Sequence, residues 1–81
     1  MPTVLLFASA REAAGQAAHV IPGSTLGEVL DEARLRFGAD FARVLATSRV
    51  WINGEILHGD VRRTPCRADD EIAVLPPISG G

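Results

Sequence analysis

The chain has 81 residues, enough for one small domain, because the remainder could not build a second hydrophobic core. Apolar residues make up 47% and charged residues 22%, a balance that supports a packed core and excludes a disordered chain. Eight arginines, no lysine and ten acidic residues leave a net charge of -2 with no long basic run, which argues against nucleic acid as a partner.

The first element is a short apolar run, Thr3 to Ala8, which reads as a central strand covered on both faces. Ser9 to Ala14 favours a helical turn, and Gly15 can stop it in the left-handed conformation. Ala18 to Ile21 is the second strand, closed by Pro22-Gly23. A strand, a tight excursion and a second strand predict a hairpin at the start of the chain.

Thr25 and Glu28 have the spacing of a capping box, in which the hydroxyl accepts from the amide three residues on and the carboxylate reaches back. The helix they open places Leu26, Val29, Leu30, Ala33 and Phe37 on one face and ends at Gly38. A shorter helical stretch from Asp40 to Leu45 precedes the strand Val50 to Ile52. Asn53-Gly54 is the dipeptide of a two-residue hairpin turn, and Glu55 to Leu57 form the return strand. His58 to Asp70 reads as a surface loop, with Asp69 in a left-handed position before the last strand, Glu71 to Leu75. Pro76-Pro77 cannot continue a sheet ladder, so the domain spans 1–75 and a tail spans 76–81. This order predicts an α+β arrangement, a mixed sheet with one main helix across one face and the last strand beside the first.

The residues offer no catalytic set. His19 and His58 stand far apart with no cysteine or histidine partner at metal spacing, so they read as solvated side chains and no metal is expected. No serine has the glycine context of a nucleophile elbow, and no phosphate-loop ending is present. The single Cys66 cannot form an internal disulfide and reads as a small apolar residue, which places the chain in a reducing, cytoplasmic compartment. The apolar start breaks at Arg11-Glu12, so it is neither a signal peptide nor a membrane span.

The tail is different. Ordering residues costs about 1–2 kcal/mol of backbone entropy each, and Gly80 and Gly81 have no side chain to recover it, so a flexible end is expected after a stiff Pro76-Pro77 spacer. Glycine is what a narrow channel admits. A terminal carboxylate is a poor electrophile, so it would work only after a partner had adenylated it with ATP.

Phe7-Ala8-Ser9-Ala10-Arg11-Glu12, the Asn53-Gly54 turn and the closing Asp70 to Leu75 followed by Pro76-Pro77-Ile78-Ser79-Gly80-Gly81 together resemble the small subunit of molybdopterin synthase, in the MoaD branch of the ubiquitin-like sulfur carriers. The resemblance runs end to end and implies a β-grasp fold. It implies a non-catalytic carrier subunit with no cofactor of its own. An E1-like adenylyltransferase (MoeB-like) activates the Gly81 carboxylate with ATP, sulfur transfer makes a thiocarboxylate, and the tail enters the large synthase subunit (MoaE-like) to supply the dithiolene sulfur. Gly81 is then the reacting group, Gly80, Ser79, Pro77 and Pro76 form the inserted tail, and Phe7, Leu75 and Ile56 are the apolar partner contacts. Cys66 stands where the family commonly has a core leucine, and the family's Asp-Gly-Asp turn is replaced by Ala68-Asp69-Asp70. The alternatives are a carrier for thiazole or cysteine synthesis and a ubiquitin-like protein modifier, which without lysine could not build lysine-linked chains on itself.

Overall fold

The computed structural model describes residues 1–58 and 60–77. Five strands form one sheet in the order β2-β1-β5-β3-β4. They are β1 (Thr3–Leu6), β2 (Ala18–Val20), β3 (Arg49–Ile52), β4 (Glu55–Ile56) and β5 (Glu71–Leu75). Three helices, α1 (Ala8–Ala14), α2 (Leu26–Phe37) and α3 (Ala39–Thr47), complete the fold with a 3-10 helix at Val61–Arg63. The last strand does lie beside the first: β1 and β5 pair in parallel, Val4 opposite Ile72 and Leu6 opposite Val74. All other neighbours pair antiparallel, so the sheet is mixed.

Alternation along the strands decides what is buried. Val4, Leu6, Ile72 and Val74 point to one face, where they meet Leu26, Val29, Leu30 and Ala33 of α2 and Phe41 and Leu45 of α3 in a single core. Phe37 packs edge-on to Phe41 with ring centroids 5.1 Å apart and closes the corner between α2 and α3. The expected apolar stripe of α2 is therefore the buried one. The reading of β1 as covered on both faces is corrected, because Thr3 and Leu5 on its other face are only half-buried. An apolar run need not mean two-sided burial; Leu5 belongs to a surface described below.

The strand also ends sooner than the run of apolar residues. Phe7 is the extended residue capping α1, and Ala8 already turns with φ of 49°, a left-handed conformation costing a non-glycine residue about 1–2 kcal/mol. Gly15 ends α1 in the left-handed conformation, as expected, and its amide bonds the Arg11 carbonyl. At α2 the Glu28 amide donates to Thr25 Oγ1 at 3.3 Å. The returning carboxylate goes to Ser24 instead of Thr25, accepting from both its amide and its hydroxyl at 2.8 Å. Those two bonds hold the Glu28 carboxyl below its ordinary value, the backbone bond contributing most.

The stretch from His58 to Asp70 is more than a surface loop. Its 3-10 helix lies on α2, where Arg62 forks onto both carboxylate oxygens of Asp31 at 2.7 and 3.2 Å. Gly27 permits this approach, since a Cβ there would stand 3.0 Å from the Arg62 carbonyl oxygen. The left-handed expectation for Asp69 is corrected too. Neither Ala68 nor Asp69 has positive φ, and the Asp70 amide bonds the Arg67 carbonyl at 3.1 Å, which together make a type I turn open to most residues. Asp70 closes it by accepting from the Arg67 amide at 2.7 Å and the Asn53 side chain at 2.9 Å, and both bonds lower its pKa. Asn53 and Gly54, at φ of 51° and 82°, form the anticipated hairpin turn.

Candidate functional site

Because β1 and β5 are parallel and β3 is antiparallel to both, the sheet has two unlike poles. Leu6, Leu75 and Arg49 lie at one, with Leu75 directly opposite Arg49. Thr3, Glu71 and the Asn53-Gly54 turn lie at the other. Pro76 and Pro77 leave from the first pole, Pro76 half-buried and Pro77 exposed. Ser79, Gly80 and Gly81, and with them most of the flexible tail expected over 76–81, lie outside the described residues.

The three expected partner contacts fall in different places. Phe7 sits at the tail pole immediately after β1 and is 43% exposed, unusually high for a phenylalanine beside a packed core. Leu75 is half-buried at the same pole, on the sheet face away from the helices. Ile56 is also half-buried, but on the edge strand β4 opposite Trp51. The structure thus brings Phe7 and Leu75 to one end and leaves Ile56 at the side.

What joins them is a row of residues that, Ile56 apart, the residue patterns did not single out. The registers line up Ala18, Leu5, Ala73, Trp51 and Ile56, one from each strand, in a continuous row across the helix-free face. All are half-buried except Ala18, which is exposed. No described helix covers this row, and Leu75 lies next to it toward the tail pole. The Trp51 indole N–H is a buried donor without a partner among the described residues. The signal was available as a period-two pattern in Thr3–Leu6 and Glu71–Leu75, whose second apolar set has no place in the core.

Polar chemistry is sparse. His19 is not free in solvent: its Nδ1 lies 2.8 Å from Gln16 Oε1 and its Nε2 lies 3.1 Å from the Arg36 guanidinium. Cys66 is half-buried against the core, and burial, reinforced by the Asp70 carboxylate, pushes its thiol above the ordinary value. Among the described residues no group of three or more His, Cys, Asp or Glu could hold a metal ion. None of the described helices is long and apolar enough to cross a membrane. A shallow depression of about 500 Å³ lies beside α1, lined by Ala8, Arg11, Glu12, Gly15, Gln16 and Ala17. Nothing in its lining combines a nucleophile with a base.

No curated protein matches the chain. The ThiS family model matches residues 4–81. The crystal structure of SAMP1 from Haloferax volcanii is 30% identical with a TM-score of 0.81, covering 99% of this chain and 98% of that one. The solution structure of the small archaeal modifier protein 1 from Methanosarcina acetivorans is 29% identical with a TM-score of 0.85, covering 99% and 95%. A complex of subunits 1 and 2 of molybdopterin-converting factor from Helicobacter pylori contains a chain 22% identical with a TM-score of 0.70, covering 99% and 97%, a likeness of fold. The sheet and its helices are thus the ubiquitin-like β-grasp, and the chain belongs to the ThiS family of ubiquitin-like sulfur carriers.

Proposed function

We propose that this chain is the sulfur carrier subunit of molybdopterin synthase. The Gly81 carboxylate attacks the α-phosphate of ATP on an E1-like adenylyltransferase and displaces pyrophosphate, giving an acyl-adenylate. A sulfur donor then displaces AMP and leaves a thiocarboxylate. The large synthase subunit receives the tail, Pro76 through Gly81, and transfers its sulfur to the pterin precursor. ATP is bound by the activating partner and not by this chain. The work takes place in the cytoplasm, where ATP and reduced sulfur are available.

One observation carries this reading: Pro76-Pro77 leaves the sheet at the same pole as exposed Phe7, beside an uncovered apolar row through Leu5, Ala73, Trp51 and Ile56. A partner seated on that face would receive the tail root with Phe7 and Leu75 as central contacts and Ile56 at the rim. The receiving channel must offer cations or amide donors, because an unpaired carboxylate or thiocarboxylate is costly to bury.

The test is intact-mass spectrometry of chain isolated from its own cells. A species heavier than the acid by the replacement of one oxygen with sulfur is expected, with co-isolation of a large synthase subunit. Phe7→Asp should abolish co-isolation without unfolding the domain, and deletion of Gly81 should abolish the sulfur adduct. Absence of that adduct in cells making the cofactor refutes the carrier reading. The likeness to SAMP1 favours a second reading, a protein modifier. It predicts amide links from Gly81 to lysines of other proteins in place of a synthase complex.

A further inference from the structure

At one edge the sheet is cut short. β4 supplies partners only for Trp51 and Ile52, while β3 begins earlier, at Arg49. Arg49 and Val50 are therefore paired to β5 on one side and to no strand on the other. Where β4 would have continued, the chain turns off toward the 3-10 helix and leaves a cleft of about 230 Å³, lined by Ser48, Arg49, Val50, Ile56, Leu57 and Val61.

The cleft is apolar with one charge. Val50, Leu57 and Val61 pack against the core yet stay half-buried, because their outer sides line this opening. The Ser48 hydroxyl is engaged, donating to the Val44 carbonyl at 2.7 Å. The Asn53 amide bonds the Glu71 carbonyl at 2.8 Å, and from that bond the antiparallel alternation turns the Val50 amide away from β5, to the side β4 has left, where it meets no acceptor among the described residues. Arg49 is exposed and forms no ion pair with a described residue. An apolar hollow with a few convergent donors is the form of site that holds an anchoring side chain.

Position selects the occupant. Arg49 stands directly opposite Leu75, the residue before the tail root at Pro76. A protein that covers Phe7 and Leu75 also takes water from Arg49, and arginine does not shed its charge on burial. A desolvated cation without a partner is costly, so the covering protein must bring an anion to it.

We propose that this cleft is the anchor site for the protein that receives the tail: an isobutyl-sized apolar side chain of that partner enters between Val50, Leu57 and Val61, and a carboxylate beside it accepts from the Arg49 guanidinium and the Val50 amide. This rests on the reading that a partner covers the tail root, but the site itself is tested without one. The probe is N-acetyl-leucine, which carries an isobutyl group and a carboxylate close together. Titrated into the isotope-labelled 81-residue chain, it should give saturable NMR shifts at Arg49, Val50, Leu57 and Val61, in the millimolar range expected of so few atoms. N-acetylglycine, which lacks the isobutyl group, should bind about tenfold more weakly. The uncharged N-acetyl-leucinamide should bind about threefold more weakly. Arg49→Gln should lower N-acetyl-leucine to the affinity of the leucinamide and leave the leucinamide unaffected. In the cells used above, Arg49→Glu should reduce co-isolation of the large subunit by about tenfold, while Arg43→Glu, the same charge change on α3, leaves it unchanged.

No saturable shift, shifts centred elsewhere, or an Arg49→Gln chain that binds N-acetyl-leucine like the parent overturns the proposal. Shifts at these residues on concentrating the chain alone would make a second copy the occupant. Binding that appears only after residues 78–81 are removed would make the chain's own tail the occupant. Either overturns the proposal, as does equal co-isolation by the Arg49→Glu and Arg43→Glu chains. Failure of the synthase reading alone would show as a missing sulfur adduct in cells and would leave the titrations unchanged.

Discussion

Gly23, between β2 and α2, has a φ of +157°, and a Cβ built there would stand 2.6 Å from Val29 Cγ2 and 2.9 Å from the Val29 amide nitrogen. Val29 is fully buried and its backbone belongs to α2, so neither atom can move without displacing the helix from the core. Overpacking of this kind costs about 1–3 kcal/mol, and a backbone angle that L residues avoid adds about 1 kcal/mol. Gly23→Ala should therefore lose about 2–4 kcal/mol, which for a domain of this size is a fall in Tm of about 10–25 °C. Gly27→Ala is the control. Its Cβ would meet Arg62 at 3.0 to 3.2 Å, but Arg62 is exposed on a short segment that can shift, and alanine improves the helix by up to about 1 kcal/mol. Gly27→Ala should stay within about 1 kcal/mol of the parent. Urea unfolding, followed by the fluorescence of the single Trp51 and by far-UV circular dichroism, measures both. A loss below about 1 kcal/mol for Gly23→Ala, at unchanged m-value, would refute the reasoning.

Glu28, Asp31 and Asp70 are all held below their ordinary pKa, by the Ser24 amide, the Arg62 side chain and the Arg67 amide respectively. Their folded values lie below their unfolded ones, so the stability they contribute is present above the unfolded values and is lost as pH falls through the folded ones. The urea midpoint should drop as pH is lowered from about 5 to 3, and Asp70→Asn should flatten part of that slope. Arg62→Ala removes only an exposed pair with Asp31 and should lower the urea midpoint only slightly in the same assay, and less still in high salt. The raised Cys66 thiol should react with an aromatic disulfide at pH 8 more slowly than free cysteine, recovering the ordinary rate in denaturant.

Much of the fold was legible in residue patterns for identifiable reasons. The stripe from Leu26 to Ala33, the Thr25 cap, Gly15 and Asn53-Gly54 are local signals, each fixed by backbone chemistry within a few residues. Some misreadings were local choices between similar neighbours, and others were long-range. The Glu28 carboxylate had two hydroxyl-bearing neighbours to choose from and took Ser24. Arg62 found Asp31, 31 residues away in sequence, and that contact turned an apparent loop into a clasp on α2. The site divides in the same way. The resemblance pointed to Phe7 and Leu75, which share a pole of the sheet, but the row from Ala18 to Ile56 exists only through the registers of four strand pairs, which no single segment encodes.

The parallel pairing of β1 with β5 also governs how the molecule comes into being. The strand at the middle of the sheet is the last one synthesised, and its ladder joins residues from opposite ends of the chain. High contact order of this sort slows folding and makes it all-or-none. On the ribosome, β1, β2 and the helices must wait with their apolar sides uncovered until Glu71–Leu75 emerges. A chain truncated before β5 should not become a weakened carrier; it should fail to fold and be cleared by proteolysis.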